Sequence, residues 1–347
     1  MTNYSLAFAV LEITRRCNLH CPFCFSDSGK ARCDELTFDE WRCVIDDLKL
    51  LGCGNCEIIG GEFMFRRDWY EIASRVRESG IELQIVTNGL MVDECVRAQL
   101  RSLDLQAIGV SLDGATPESY RSVRGVDGFG KVRKLLDDLA RDGFRQVSVL
   151  TTFNARTLDD FDRFVEMFVD TPFSWEVHMA LKMTERFPDE LVFSKEQYAL
   201  FVEKVTRALS DLRGRLKLGV RDDFGYFPMT PKLRFLCDRW NGCQAGKRTV
   251  AVLSNGDVAP CSMLGDRFIE DNLRRRPLAE IWNDPNSFAQ FRRKEEHLTG
   301  ACAKCPFGSR CKAGCSAMAL SQTGTLTETP FCIRQLETER IIKEMTA

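Results

Sequence analysis

Three cysteines crowd one short loop, Cys17-x3-Cys21-x2-Cys24, in a chain of 347 residues. A 4Fe–4S cluster has four irons and usually takes four thiolates. Three close ligands would leave one iron open to bind something that reacts. The run from Ile13 through Thr14, Arg15 and Arg16 to Cys24 follows the apolar stretch Leu6–Ile13. The trio therefore sits on the loop leaving a first strand, and in a barrel of parallel strands and helices that end is where active sites are built. Taken alone, the same residues also allow buried thiols or a zinc knuckle, with His20 inside the loop as a fourth ligand.

The chain holds sixteen cysteines, eight from Cys17 to Cys95 and eight from Cys237 to Cys332, with none between. In a reducing compartment such thiols are metal ligands or catalytic groups more often than disulfides. Two dense regions around a thiol-free middle point to two separate metal regions. Further polar groups close successive strand-like runs. Gly60-Gly61-Glu62 follows the second run, and two glycines let a backbone approach a ligand closely. Asn88 closes the third, Ser111 the fourth and Asn154 the fifth. For the two asparagines, plain turn chemistry is an equal alternative.

These residues need elements to position them. Apolar, β-prone runs occur at Leu6–Ile13, Cys56–Gly60, Glu82–Thr87, Ala107–Leu112, Gln146–Phe153 and Ser174–Met179. Helical patterns lie between them, near Thr37–Leu51, Trp69–Ser79, Val92–Ser102, Phe129–Asp142 and Asp159–Val169, and another follows at Lys195–Leu212. Thr37 and Glu40 make a capping-box pattern, and Gly52, Gly80 and Gly143 sit where helix-ending glycines belong. Repeated β-then-α predicts a parallel sheet with right-handed crossovers. Six strands are too few for an eight-stranded barrel, so the expected class is α/β, a partial (β/α)6 TIM-type barrel. Residues 1–218 would form this core and 219–236 a Gly-, Pro- and Asp-rich connector. Residues 237–347 would form a cysteine-rich extension that metal clusters staple together.

Net charge is −2 with a pI near 6.1, which gives no electrostatic case for a nucleic-acid partner. The N-terminus lacks the basic and apolar regions of a signal peptide, and no segment is long enough to span a membrane, so a cytoplasmic location is expected. The basic runs Arg274–Arg276 and Arg292–Lys294 read as solvated faces.

The cysteine trio together with these strand ends resembles a radical S-adenosylmethionine (SAM) enzyme with a C-terminal SPASM extension, over nearly the whole length. The resemblance implies that Cys17, Cys21 and Cys24 hold a 4Fe–4S cluster whose open iron is chelated by SAM. It implies that Phe23 packs near the adenine and that Gly60, Gly61 and Glu62 meet the SAM amino group, although Phe63 stands where proline is usual. Ser111 would contact the ribose, and Arg124 the SAM carboxylate or ribose through a bidentate guanidinium. Asn88 and Asn154 would line the same face. The SPASM resemblance implies two auxiliary 4Fe–4S clusters, one on Cys237, Cys243, Cys261 and Cys315, the other on Cys302, Cys305, Cys311 and Cys332. With eight thiolates and no open iron, these would move electrons or brace the fold. Of the remaining cysteines, Cys43, Cys53, Cys56 and Cys95 read as small buried apolar residues. Cys33 is the candidate hydrogen-atom donor. Ser262 replaces the acidic base of the sulfatase-maturating branch, so that branch's reaction is not expected.

The activity so implied is reductive cleavage of SAM to a 5′-deoxyadenosyl radical, which removes a hydrogen atom from a substrate. The expected substrate is a ribosomally made precursor peptide undergoing crosslinking, oxidation or epimerisation. A sugar, aminocyclitol or other small metabolite is the alternative. The expected partners are a flavodoxin- or ferredoxin-type reductant and, since the chain begins almost at its first strand, a separate leader-peptide-binding protein.

Overall fold

The computed structural model describes residues 4–220, 227–231 and 242–346. Six β-then-α units come first: β1 (Phe8–Glu12) and α1 (Phe38–Leu50), β2 (Asn55–Ile59) and α2 (Trp69–Glu78), β3 (Glu82–Thr87) and α3 (Glu94–Ser102), then β4 (Ala107–Ser111) with α4 (Pro117–Arg124) and α5 (Phe129–Arg141). They continue through β5 (Val147–Phe153) and α6 (Phe161–Phe168) to β6 (Ser174–Met179) and α7 (Lys195–Asp211). Local rules explain most of these elements. Thr37 and Glu40 close the expected capping box on α1. In α5, Val132, Leu135, Leu136 and Leu139 form one buried helical stripe. Beneath the last units, rings of Phe153, Phe161, Phe164, Trp175 and Phe201 pack with centroids 5.2–6.2 Å apart.

The strands join one sheet in the order β10-β9-β8-β1-β2-β3-β4-β5-β6-β7. Strands β1 to β6 pair in parallel as predicted, and β7 (Lys217–Val220), whose last two residues were expected in the connector, adds a seventh parallel strand beside β6. The partial barrel is therefore present, and it carries more strands than the sequence announced. β8 (Thr249–Val252) lies parallel to β1, and β9 (Asp257–Ala259) and β10 (Asp271–Asn272) extend it antiparallel. Two to four residues give too little alternation to read as strands, and these become strands through the partners they meet. The sheet thus runs from the core into the cysteine-rich region. Further ties bind the two: Trp282 Nε1 donates to the Tyr4 carbonyl at 2.9 Å, and Arg274 pairs with Glu40 at 2.7 Å.

Alternate residues divide the sheet's faces. Ala9, Leu11, Ile58, Val110, Val149 and Val177 join the main core with the helices. Val10, Ile59 and Ala251 form a small apolar patch on the other face, and Glu12, Ser111 and His178 share that face by the two-residue period. Among the described residues no helix is long and apolar enough to cross a membrane.

Helix α4 was not anticipated, although Thr116 and Ser119 make a capping box and Pro117 opens the helix. Its first turn presses on the loop leaving β4, where a Cβ on Gly114 would lie 2.1 Å from the Tyr120 backbone nitrogen. Gly114→Ala should therefore displace α4 at a cost of about 1–3 kcal/mol. The expected result is a lowered thermal unfolding midpoint of the reconstituted protein, and an unchanged midpoint would mean that α4 is free to move.

Candidate active site

Hydrogen bonds from three directions hold the cysteine loop after β1. Cys17 N donates to Gly29 O at 3.1 Å and Gly29 N to Arg15 O at 3.0 Å, closing the loop on itself. From beyond β6, Arg186 reaches back to the Ser28 carbonyl at 3.0 Å, His20 Nδ1 at 2.8 Å and Asp27 at 2.7 Å. From the C-terminal region, Asp266 pairs with Arg15 and Arg32, while Arg15 Nε donates to Ser26 O at 2.6 Å. The three thiols lie close together, so that Cys17 senses both others and Cys21 senses Cys24. Burial pushes the Cys17 thiol up to about 11 and raises Cys21 as well, against the pull of Arg124. Left alone Cys17 and Cys21 stay protonated, and metal ligation supplies the drive to ionise them.

Strand β2 ends against this loop. Gly61 N donates to Thr14 O and Glu62 N to Arg16 O, both at 2.8 Å. A Cβ on Gly61 would sit 2.5 Å from Arg16 O, so only glycine permits the pairing. Glu62 follows, 1% exposed, accepting from Thr87 Oγ1 at 2.9 Å and Asn88 N at 2.8 Å. Burial raises its carboxyl to about 7, and among the described residues no salt bridge reaches it. A buried carboxylate held only by neutral donors, beside Cys17, suits the ammonium of an amino-acid ligand.

The other expected contacts divide. Asn154 is fully buried at the end of β5, and among the described residues its Nδ2 has no hydrogen-bond acceptor, leaving a donor for a ligand oxygen. Ser111 is half-buried at the end of β4. Asn88 is already engaged, its Nδ2 donating to Asn18 Oδ1 at 2.7 Å in the cysteine loop. Phe23 packs with Leu19, Val123, Ala180, Phe187 and Leu191 as an apolar wall. Arg124, expected to reach a ligand carboxylate, is instead taken by buried Asp113. Its guanidinium also lies 5.6 Å from the Phe23 ring centre and 3.6 Å from Cys21 Sγ. Asp113 further accepts from Thr152 N at 2.7 Å, locking β4 to β5. The sequence reading passed over Asp113, Arg186 and Asp266. Asp113 stands two residues beyond Ser111, whereas the other two gave no local signal.

The second cysteine region is partly described. Cys302, Cys305, Cys311 and Cys332 line a single cavity of about 320 Å³. Cys243, Cys261 and Cys315 pack half-buried against the main core, and Cys237 lies outside the described residues. Among the described residues, no three His, Cys, Asp or Glu side chains converge as around a single ion. Four irons hold their thiolates more widely apart than one ion does. The donor set and the cavity fit clusters of that kind.

Several sequence expectations need correction. Arg292 and Lys294 are not a solvated face, being only 5% and 1% exposed. Arg292 donates to three carbonyls, of Gly246, Asp284 and Trp282, at 2.8–2.9 Å. Arg274, Arg275 and Arg276 are partly exposed but paired, with Glu40, Asp271 and Asp284. Of the cysteines read as buried, Cys53 and Cys56 are, while Cys43 and Cys95 are exposed. Cys33 is also exposed, on the loop before α1.

Comparison with known proteins agrees with this geometry. The radical SAM superfamily matches residues 11–168, and the SPASM iron–sulfur cluster-binding domain matches residues 243–306. The chain is a radical SAM protein with a SPASM domain, and its cofactors are SAM and iron–sulfur clusters. It is 29% identical to the mycofactocin maturase MftC of Mycobacterium ulcerans, over 88% of this chain and 82% of that one. It is 28% identical to an AdoMet-dependent heme synthase of Methanosarcina barkeri, over 93% and 95%. It is 25% identical to the PqqA peptide cyclase of Rhizobium meliloti, over 96% and 88%. Streptococcus suis SuiB bound to precursor peptide SuiA has the same fold, with a TM-score of 0.76 at 17% identity, over 95% of this chain and 76% of that one.

A charge-assisted hydrogen bond contributes about 1.5–3 kcal/mol, a factor of roughly 10–150 in affinity. Glu62→Gln should weaken equilibrium SAM binding within that range while leaving the iron content of the reconstituted protein unchanged. Unaltered affinity would exclude Glu62 as the ammonium acceptor.

Proposed function

We propose that this enzyme modifies a ribosomally made precursor peptide, through a net oxidation such as crosslinking or dehydrogenation. The observation that carries the oxidative part is the cavity lined by Cys302, Cys305, Cys311 and Cys332. Four thiols around one cavity supply a complete ligand set, suited to exchanging electrons and leaving no iron for substrate. The peptide part draws on the relatives named as a maturase and a peptide cyclase.

The assignment of residues follows the geometry. Cys17, Cys21 and Cys24 would hold the SAM-binding cluster. Cys302, Cys305, Cys311 and Cys332 would hold one auxiliary cluster, and Cys243, Cys261 and Cys315 with Cys237 the other. Bound there, SAM and its cluster would supply the radical chemistry for hydrogen-atom removal from the substrate. Glu62 would orient the SAM ammonium, the Asn154 amide and Ser111 hydroxyl would donate to its oxygens, and Phe23 would wall the adenine. Arg124, fixed by Asp113, balances the negative charge at Cys21. His178 and Ser111, on the face opposite the helices, would border the substrate. So many cysteine ligands suit a reducing, cytoplasmic setting with a flavodoxin- or ferredoxin-type reductant. A separate leader-binding protein is a further proposed partner. The heme synthase, matched over nearly both full lengths, favours a small-molecule substrate as the second reading.

Anaerobic reconstitution should give about twelve irons per chain, four for each of three clusters, and reduced protein should cleave SAM. Cys17→Ala should lose cleavage and keep about eight irons; retained cleavage would refute the ligand assignment. Mass spectrometry after incubation with candidate precursor peptides should show a loss of hydrogen. Modification of small metabolites alone would replace the peptide reading with the second one.

A further inference from the structure

Lys294 occupies an unusual place for an ammonium. It is almost wholly buried, and its Nζ donates to Gly314 O at 3.2 Å and Ser316 Oγ at 3.1 Å. Gly314 lies in the turn that separates Cys311 from Cys315, and Ser316 directly follows Cys315 at the start of the next helix. In that turn Lys312, Ala313 and Gly314 take φ of 57°, 55° and 61°, three left-handed residues in succession. Two of them are not glycine, so the reversal is strained. It turns Cys311 towards the cavity shared with Cys302, Cys305 and Cys332, while Cys315 packs against the core with Cys243 and Cys261. The groups that act on Lys294 electrostatically are thiols of both sets, Cys243 and Cys315 of one and Cys311 and Cys302 of the other.

Two nearby lysines behave differently. Lys247 and Lys312 share a carboxylate, Glu295, at 3.7 and 2.8 Å. Among the described residues Lys294 has no carboxylate partner, and a buried cation without an anion is strongly unfavourable. An ammonium also has three protons, and two acceptors take only two of them. The thiolates and the clusters they hold would supply that anion. A cluster with four thiolates is negative and becomes more so on reduction, so a cation in low dielectric favours the reduced state.

We propose that Lys294 is a shared counter-ion of the two auxiliary clusters, a positioning charge that raises the reduction potential of both. This rests on the ligand assignment above. Iron content tests that assignment separately, since unsubstituted protein short of about twelve irons would defeat the assignment before Lys294 is tested.

The test is an EPR-monitored redox titration of anaerobically reconstituted protein, with iron counted in each variant. Lys294→Met should keep full iron and move both auxiliary midpoints to more negative potential, leaving the SAM-binding cluster where it was. Lys294→Arg, which keeps the charge, should titrate close to the parent, and exposed neighbour Arg293→Met should shift nothing. The proposal is overturned if Lys294→Met leaves both potentials unchanged or moves only one. It is also overturned if Lys294→Met fails to load iron while Lys294→Arg loads and titrates as far from the parent as an uncharged variant would. A simple pin on the Gly314 turn would produce that last pattern.

Discussion

The contact between the end of β2 and the cysteine loop organises everything around it. Two backbone hydrogen bonds, Gly61 N to Thr14 O and Glu62 N to Arg16 O, join a rigid strand to a loop with little structure of its own. The pairing sets the height at which Cys17 stands and buries Glu62 beside it. Only a residue without a side chain fits at Gly61. The result is a carboxylate in a dry place with neutral donors on both oxygens, a site that favours a cation. The arms from Arg186 and Asp266 then fix the outer half of the loop from opposite sides of the sheet.

Charge is handled alike in both cysteine regions. At the first, Arg124 touches Cys21 and is itself held by buried Asp113, so the guanidinium cannot swing away. At the second, Lys294 is near thiols of both sets and is held by a carbonyl and a hydroxyl. In each case a cation buried in protein faces sulfur, where water cannot screen it. The continuous sheet from β10 to β7 makes the two regions parts of one framework.

What the sequence disclosed was local. The spacing of Cys17, Cys21 and Cys24 and the Gly60–Glu62 strand end are short-range patterns, and the six β/α units announce themselves through periodicity. Roles that depend on a distant partner were hidden. Arg124 looked available until Asp113 was seen to occupy it. Arg292 and Lys294 looked like a solvated run because a basic tripeptide usually is one, and burial in a tertiary setting reversed that reading. The strands β8 to β10 are too short to show alternation and exist because β1 offers an edge.

The central claim is that the cysteine loop and Glu62 together hold the amino group of SAM at an open iron. The direct measurement is the electron–nuclear hyperfine spectrum of the reduced protein with SAM labelled with nitrogen-15 at its amino group. The account predicts a nitrogen-15 coupling to the cluster spin in the parent protein, lost or weakened in Glu62→Gln. A reduced cluster that binds labelled SAM without such a coupling would contradict it.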